Sequence, residues 1–280
     1  QEDALSSLAF AELLKNLYPK HPYGLRSLGT AESVKKLNRS HLARFHREIF
    51  KARNLVLSVV GDVSVHEVEK LANELLGELP RGGSKPLSVK PDPRPGRRRE
   101  SEIVKKNKQQ SHIAMGFMGT TFKDPDRHAM TVLNNIMAGQ GGRLFLTLRD
   151  RMSLAYAVSS VNHEGMEPGY FAVYIGTEPG KTGKAVEGIL AELGKITSEK
   201  VAADELERSK QYLVGTYELD LQRTSTVAGI YAFNEIYGLP MQEIELYPQR
   251  ILAVTAEDVL RVAKKFITPE SYTLSIVRPS

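Results

Sequence analysis

The chain has 280 residues, 41% hydrophobic and 25% charged, values of a folded globular protein with room for about two domains. It has no cysteine, which excludes disulfides, thiolate metal sites and cysteine nucleophiles. Its formal charge of +5 invites a nucleic-acid reading, but Arg81 to Lys108 holds ten basic and three acidic residues, so the excess lies in one segment. That segment also carries Pro86, Pro91, Pro93 and Pro95 and no aromatic residue, as expected of a solvated linker rather than a nucleic-acid surface. No apolar run approaches the roughly 20 residues of a membrane-spanning helix, so neither nucleic acid nor membrane is expected as a partner. The compartment stays open.

In chain order, residues 4 to 18 space Leu5, Leu8, Ala9, Leu13 and Leu17 as one face of a helix that Pro19 stops. His21, in a proline-rich turn, reads as a local hydrogen-bonder rather than a metal ligand. A short helix over 31 to 37 and a second over 39 to 50 follow. His41 and His46 of the second are five apart and fall on different faces, a poor metal pair. Residues 54 to 60, NLVLSVV, predict a buried strand. Ser64 and Glu67 predict a capping box for a helix that Pro80 ends. Beyond the linker, 112 to 118 alternates as a strand, and Asp124 with Pro125 opens a helix.

Gly141 to Ser160, GGRLFLTLRDRMSLAYAVSS, joins a short helix with Leu144, Phe145 and Leu148 on its face to a strand of period two from Leu154. Arg149 closes the helix and Tyr156 opens the strand. Held over one surface, a guanidinium and a phenol can hydrogen-bond a peptide carbonyl or stabilise an oxyanion. The alternative is a solvated arginine at a helix C-terminus and a tyrosine in the strand core. The strand forms a hairpin with 169 to 177, and helices are expected over 181 to 198, 202 to 220 and 225 to 237.

Residues 37 to 60 lie over 254 to 277 at a constant offset of 217, with Leu42 on Val259, Phe45 on Val262, Ile49 on Phe266 and Leu57 on Leu274. This predicts a duplication. The expected fold class is α+β, with duplicated domains, each an antiparallel or mixed sheet packed against helices, and the first copy truncated. Residues 1 to 80 would be the C-terminal half of a first domain, 81 to 100 a basic linker, and 101 to 280 a complete second domain.

HPYGLRSLGTAESVKKLNRSHLARFHREIFKARNLVLSVVGDV, from His21 to Val63, resembles the end of the first domain of the pitrilysin and insulin-degrading-enzyme family of zinc peptidases, and GGRLFLTLRDRMSLAYAVSS resembles a segment of its second domain. The resemblance implies duplicated α+β domains closing like a clam around an unfolded peptide. One domain carries H-x-x-E-H and a downstream glutamate as zinc ligands. None of the seven histidines starts that motif; His66 comes nearest, but position 70 is lysine. Glu2 and Asp3 stand near an expected acidic helix end without qualifying as ligands. The chain itself is therefore expected to hold no metal or other cofactor, with zinc bound by the intact parent. The family's second domain supplies an arginine and a tyrosine seven apart, and Arg149 and Tyr156 match, which makes them the implied catalytic pair. The implied function is the C-terminal portion of a zinc metalloendopeptidase, inactive alone, with extended peptide and a missing N-terminal half-domain or partner subunit as partners, and homodimerisation open. The alternative is an inactive scaffold or partner subunit of the same fold.

Overall fold

A computed structural model describes residues 4–83 and 89–280. Contacts divide the chain into two compact units: residues up to Leu25 with Lys90–Gly215 and Pro248–Ser280, and Arg26–Val89 with Thr216–Tyr247. These boundaries differ from those expected of the duplication, because the first helix joins the later part of the chain. The boundary between units falls inside two helices.

The first unit is a five-stranded mixed sheet with helices on its faces. Its strands are β1 (Arg99–Lys105), β2 (Ser111–Met118), β3 (Ala157–His163), β4 (Tyr170–Thr177) and β5 (Thr273–Pro279), in the order β1-β5-β2-β4-β3. β1 and β5 are parallel and the other pairs antiparallel. This is the expected α+β class.

Helix α1 (Leu5–Leu17) buries the predicted leucine face, and Leu5, Leu8, Ala9 and Leu13 pack against Ala114, Ala172 and Val277 on one side of the sheet. The alternate residues Ile113, Met115, Phe171, Val173 and Ile175 are fully buried. Helices α5 (Arg127–Met137) and α6 (Thr182–Ser198) lie against the strands, and α10 (Ala256–Phe266) packs on both. Ser160 hydrogen-bonds the Asn134 carbonyl of α5, while its neighbour Val161 meets the α1 cluster, so the two helix sets cover opposite faces.

Part of the expected solvated linker is docked. Asp92, buried, accepts from the backbone N–H groups of Lys20 and His21 at 3.0 and 2.8 Å. Arg94 donates to the Lys265 carbonyl and stacks on Phe266. The proline-spaced chain is rigid enough to be held by a few side chains, which composition alone does not reveal. β1 begins at Arg99, inside the expected linker.

The second unit holds α2 (Ala31–Lys35), α3 (Arg39–Ile49), α4 (Val65–Leu76), α8 (Thr224–Tyr237) and parts of α7 (Ala203–Leu221) and α9 (Glu243–Leu252). The expected buried strand at 54 to 60 is not one here. A 3₁₀ turn at Ala52–Asn54 leads into chain without a strand partner among the described residues, and Leu55, Leu57 and Val59 are exposed. An apolar, alternating sequence becomes a strand only when a neighbour completes its ladder. Of the expected capping box, the Ser64 side chain accepts from the Glu67 N–H.

Candidate functional site

The segment bearing Arg149 is fixed at both ends. At its start Gly142 lies so close to the preceding turn that a Cβ would stand 1.9 Å from the Ala138 carbonyl oxygen, which only glycine permits. Arg143 then forms a two-pronged pair with Glu205 of α7, at 2.8 and 2.6 Å. The carboxylate's hydrogen bond raises the arginine's affinity for its proton, outweighing partial burial. Leu144 and Leu148 are fully buried, and Leu148 reaches α6 where Gly188 leaves room, a Cβ there standing 2.6 Å away.

Phe145–Arg151 is a π-helix, wound one residue wider per turn than the expected α-helix, with the Met152 N–H bonding the Thr147 carbonyl. Two residues beyond its end stands Ser153, whose φ of 50° lies in the left-handed region. The Leu154 N–H returns to the Leu148 carbonyl at 2.8 Å, and the chain turns out toward β3. Two uncommon backbone states within one short segment are a feature of functional sites, where local strain sets side-chain placement.

On this frame Arg149 is exposed, its guanidinium 4.9 Å from the centre of the Phe145 ring one turn back. Phe145, expected as core, is half-buried and serves as the platform. Tyr156 is 55% exposed, so it is not strand core. Its backbone N–H bonds the Gly176 carbonyl of β4 at 2.9 Å, one residue before β3 begins. Sequence reasoning missed the role of Phe145; an aromatic residue four before an arginine on a helical segment was the available signal.

Four of the seven histidines make contacts away from this segment. His21 Nδ1 accepts from the Tyr23 N–H, and its ring sits among Tyr18 and Tyr23. His46 stacks on Phe50 and His163 on Tyr170. His112 Nδ1 lies 2.7 Å from the Tyr174 hydroxyl, and burial lowers the histidine's pKa and raises the tyrosine's. Among the described residues no group of three or more His, Cys, Asp or Glu is placed to hold a metal ion. These residues do not fit a zinc site. Glu2 and Asp3 lie outside the described residues.

The pattern described as the peptidase M16 inactive domain matches residues 36–213. An uncharacterized zinc protease of Rickettsia bellii is 26% identical over 288 residues, covering 100% of this chain and 66% of its own length, so the chain spans just under two thirds of that relative. A crystal structure of a peptidase M16 inactive domain from Pseudomonas fluorescens superposes with a TM-score of 0.90 at 24% identity, over 98% of this chain and 66% of the other. A chain of complex III2 from Candida albicans superposes with a TM-score of 0.83 at 14% identity, over 98% of this chain and 69% of the other. At such identities the structures speak for the fold. The sequence match covers more than half of the chain and bears out the resemblance drawn from His21–Val63 and Gly141–Ser160: the chain belongs to the peptidase M16 family, whose inactive domain it carries.

Proposed function

We propose that this chain is the C-terminal portion of a zinc-dependent metalloendopeptidase and that Arg149 and Tyr156 act on the peptide substrate. The observation that carries the reading is that both side chains are exposed, Arg149 on a π-helical turn braced by the Arg143–Glu205 pair and Tyr156 beyond that turn, held to β4 by its backbone N–H. The zinc protease name of the relative supports it.

Arg149 presents guanidinium N–H donors and Tyr156 one O–H, and neither is occupied by a polar side chain among the described residues. Directed at a scissile carbonyl oxygen, they would hold an extended peptide and strengthen their hydrogen bonds as that oxygen gains negative charge. Phe145 limits the arginine's freedom beforehand, which lowers the entropy lost on binding. Zinc and its general base would come from residues outside this chain, supplied by an N-terminal half-domain or a partner subunit.

The test is hydrolysis of a quenched peptide by the 280-residue chain and by the protein of the complete reading frame, each with and without chelator. The chain alone is expected to be inactive and the complete protein active and chelator-sensitive. Chelator-sensitive hydrolysis by the chain alone would contradict the reading.

A second reading, a scaffold or partner subunit of the same fold, is favoured by the description of the matching domain as inactive and by the fold's presence in complex III2. A complete protein that binds no zinc and cleaves no peptide would establish it.

A further inference from the structure

The basic excess of the sequence falls in part at the end of the sheet that carries Tyr156. One row of register partners crosses all five strands: Ile103, Val277, His112, Gly176 and Ala157. Tyr156 stands one residue before Ala157, and Lys105 stands two beyond Ile103, where β1 ends. Lys105 and the residues 106 to 110 that follow it, KNKQQ, therefore lie at the same end of the sheet as the proposed pair.

Other residues of the basic segment hold the chain in place. Arg94 and Arg99 donate to the carbonyls of Lys265 and Asn16, and Arg98 pairs with Glu100. Lys105 and Lys106 have no ion pair among the described residues, and Lys106 is exposed. Two acidic side chains at this end are neutralised, Glu102 by Arg278 at 2.6 Å and Glu178 by Lys181 at 3.0 Å. Asp150 is left against Arg149, Arg151, Lys105 and Lys106, all of them in the sheet unit. A surplus of cations at one edge attracts anions and repels basic chains over roughly a Debye length, about 8–10 Å.

We infer that Lys105 and Lys106 select peptides with acidic side chains, holding those carboxylates at the opposite edge of the sheet from Tyr156. The inference rests on the reading of Arg149 and Tyr156 as peptide-binding residues and adds the class of substrate. β1 and β3 are the two edges of the sheet. They are four strand spacings apart, roughly 19 Å at about 4.8 Å each, which an extended peptide covers in about six residues. A peptide held at Tyr156 and crossing the end of the sheet thus brings side chains about six positions away to the lysines. A nucleic acid suits this surface less, since the turn offers no aromatic side chain on which a base could stack. A basic peptide is repelled there.

The test is binding by the protein of the complete reading frame, kept in chelator so that nothing is cleaved. The probes are a labelled, unstructured peptide of about 16 residues, with three glutamates at each end of an apolar centre, and the same peptide with glutamines. In about 50 mM salt, fluorescence anisotropy should show the glutamate peptide binding about fivefold to tenfold more tightly, a preference that falls below about twofold in about 0.5 M salt. Lys105→Gln with Lys106→Gln should remove the preference at low salt. Lys123→Gln with Lys264→Gln, which takes the same charge from exposed positions after β2 and before β5, toward the other end of the sheet, should keep it. Equal binding of the two peptides, no binding of either, or a preference that survives Lys105→Gln with Lys106→Gln would overturn the inference. So would a short DNA duplex that binds more tightly than the glutamate peptide and displaces it, which would assign the surface to nucleic acid. No hydrolysis is read, so failure here is distinct from failure of the Arg149 and Tyr156 assignment.

Discussion

Ser153 holds a left-handed backbone angle without being glycine, and it does so between Arg149 and Tyr156, the two residues proposed to act on the peptide. A Cβ in that region costs on the order of 1 kcal/mol, which the covered Leu148 and Leu154 offset by fixing the turn. Ser153→Gly should therefore raise the stability to denaturant by about 0.5–1 kcal/mol, and Ser153→Val should lower it by more, because a β-branched side chain resists that region. Tyr156 behaves differently. Its tie to the sheet is a backbone N–H, so Tyr156→Phe should leave the melting temperature within about 1 °C. That separates an effect on activity from one on folding. The pair was singled out by the family resemblance, since its spacing of seven at a change of period is equally that of a solvated arginine and a strand-core tyrosine. The π-helical winding was not, since one added backbone residue per turn leaves no distinct mark in side-chain periodicity.

Among the elements, α5 and α10 are joined by a charge cluster. Asp126, buried just before α5, accepts from Arg261 and Lys265 of α10, each at 2.6 Å. Burial pushes its carboxyl pKa up, but the two hydrogen bonds and positive charges outweigh this and hold it below the ordinary value. A carboxylate with a depressed folded pKa stabilises fully above its unfolded pKa, and that stability is lost as pH falls through the folded value. Asp126→Asn should cost about 1.5–3 kcal/mol near neutrality, and the gap from wild type should close in acid below the carboxylate range, as thermal melts against pH would show. A gap independent of pH would assign the loss to packing instead.

Helices with clear apolar faces, such as α1, α6 and α10, were legible because one side must be covered whatever the partner. β1 was not, since RESEIVK is a charged edge strand with few apolar residues, as edges that resist unwanted pairing tend to be. α9 carries Pro248 in its interior, which reads as a break. Residues 54 to 60 read as a strand for sound reasons, but strand formation depends on a neighbour, and sequence pattern gives the need for one without supplying it.

At the scale of the molecule, the repeat is the feature from which most else follows. One copy of the helix-and-strand pattern lies inside a five-stranded sheet unit, and the other displays the same apolar residues uncovered. The family match, over residues 36–213, runs through parts of both units, and the proposed peptide chemistry belongs to the sheet unit, at its π-helical turn and the start of β3. No metal-holding group is found among the described residues, so the hydrolytic reading requires that the guanidinium and phenol work beside a zinc held by other residues.

The most direct measurement is steady-state peptide hydrolysis by the protein of the complete reading frame with Tyr156→Phe, a change of one hydroxyl. The account predicts that kcat falls about a hundredfold to a thousandfold while KM stays within about twofold and the fold is unchanged. An active protein whose kcat is unaltered by the substitution would contradict it.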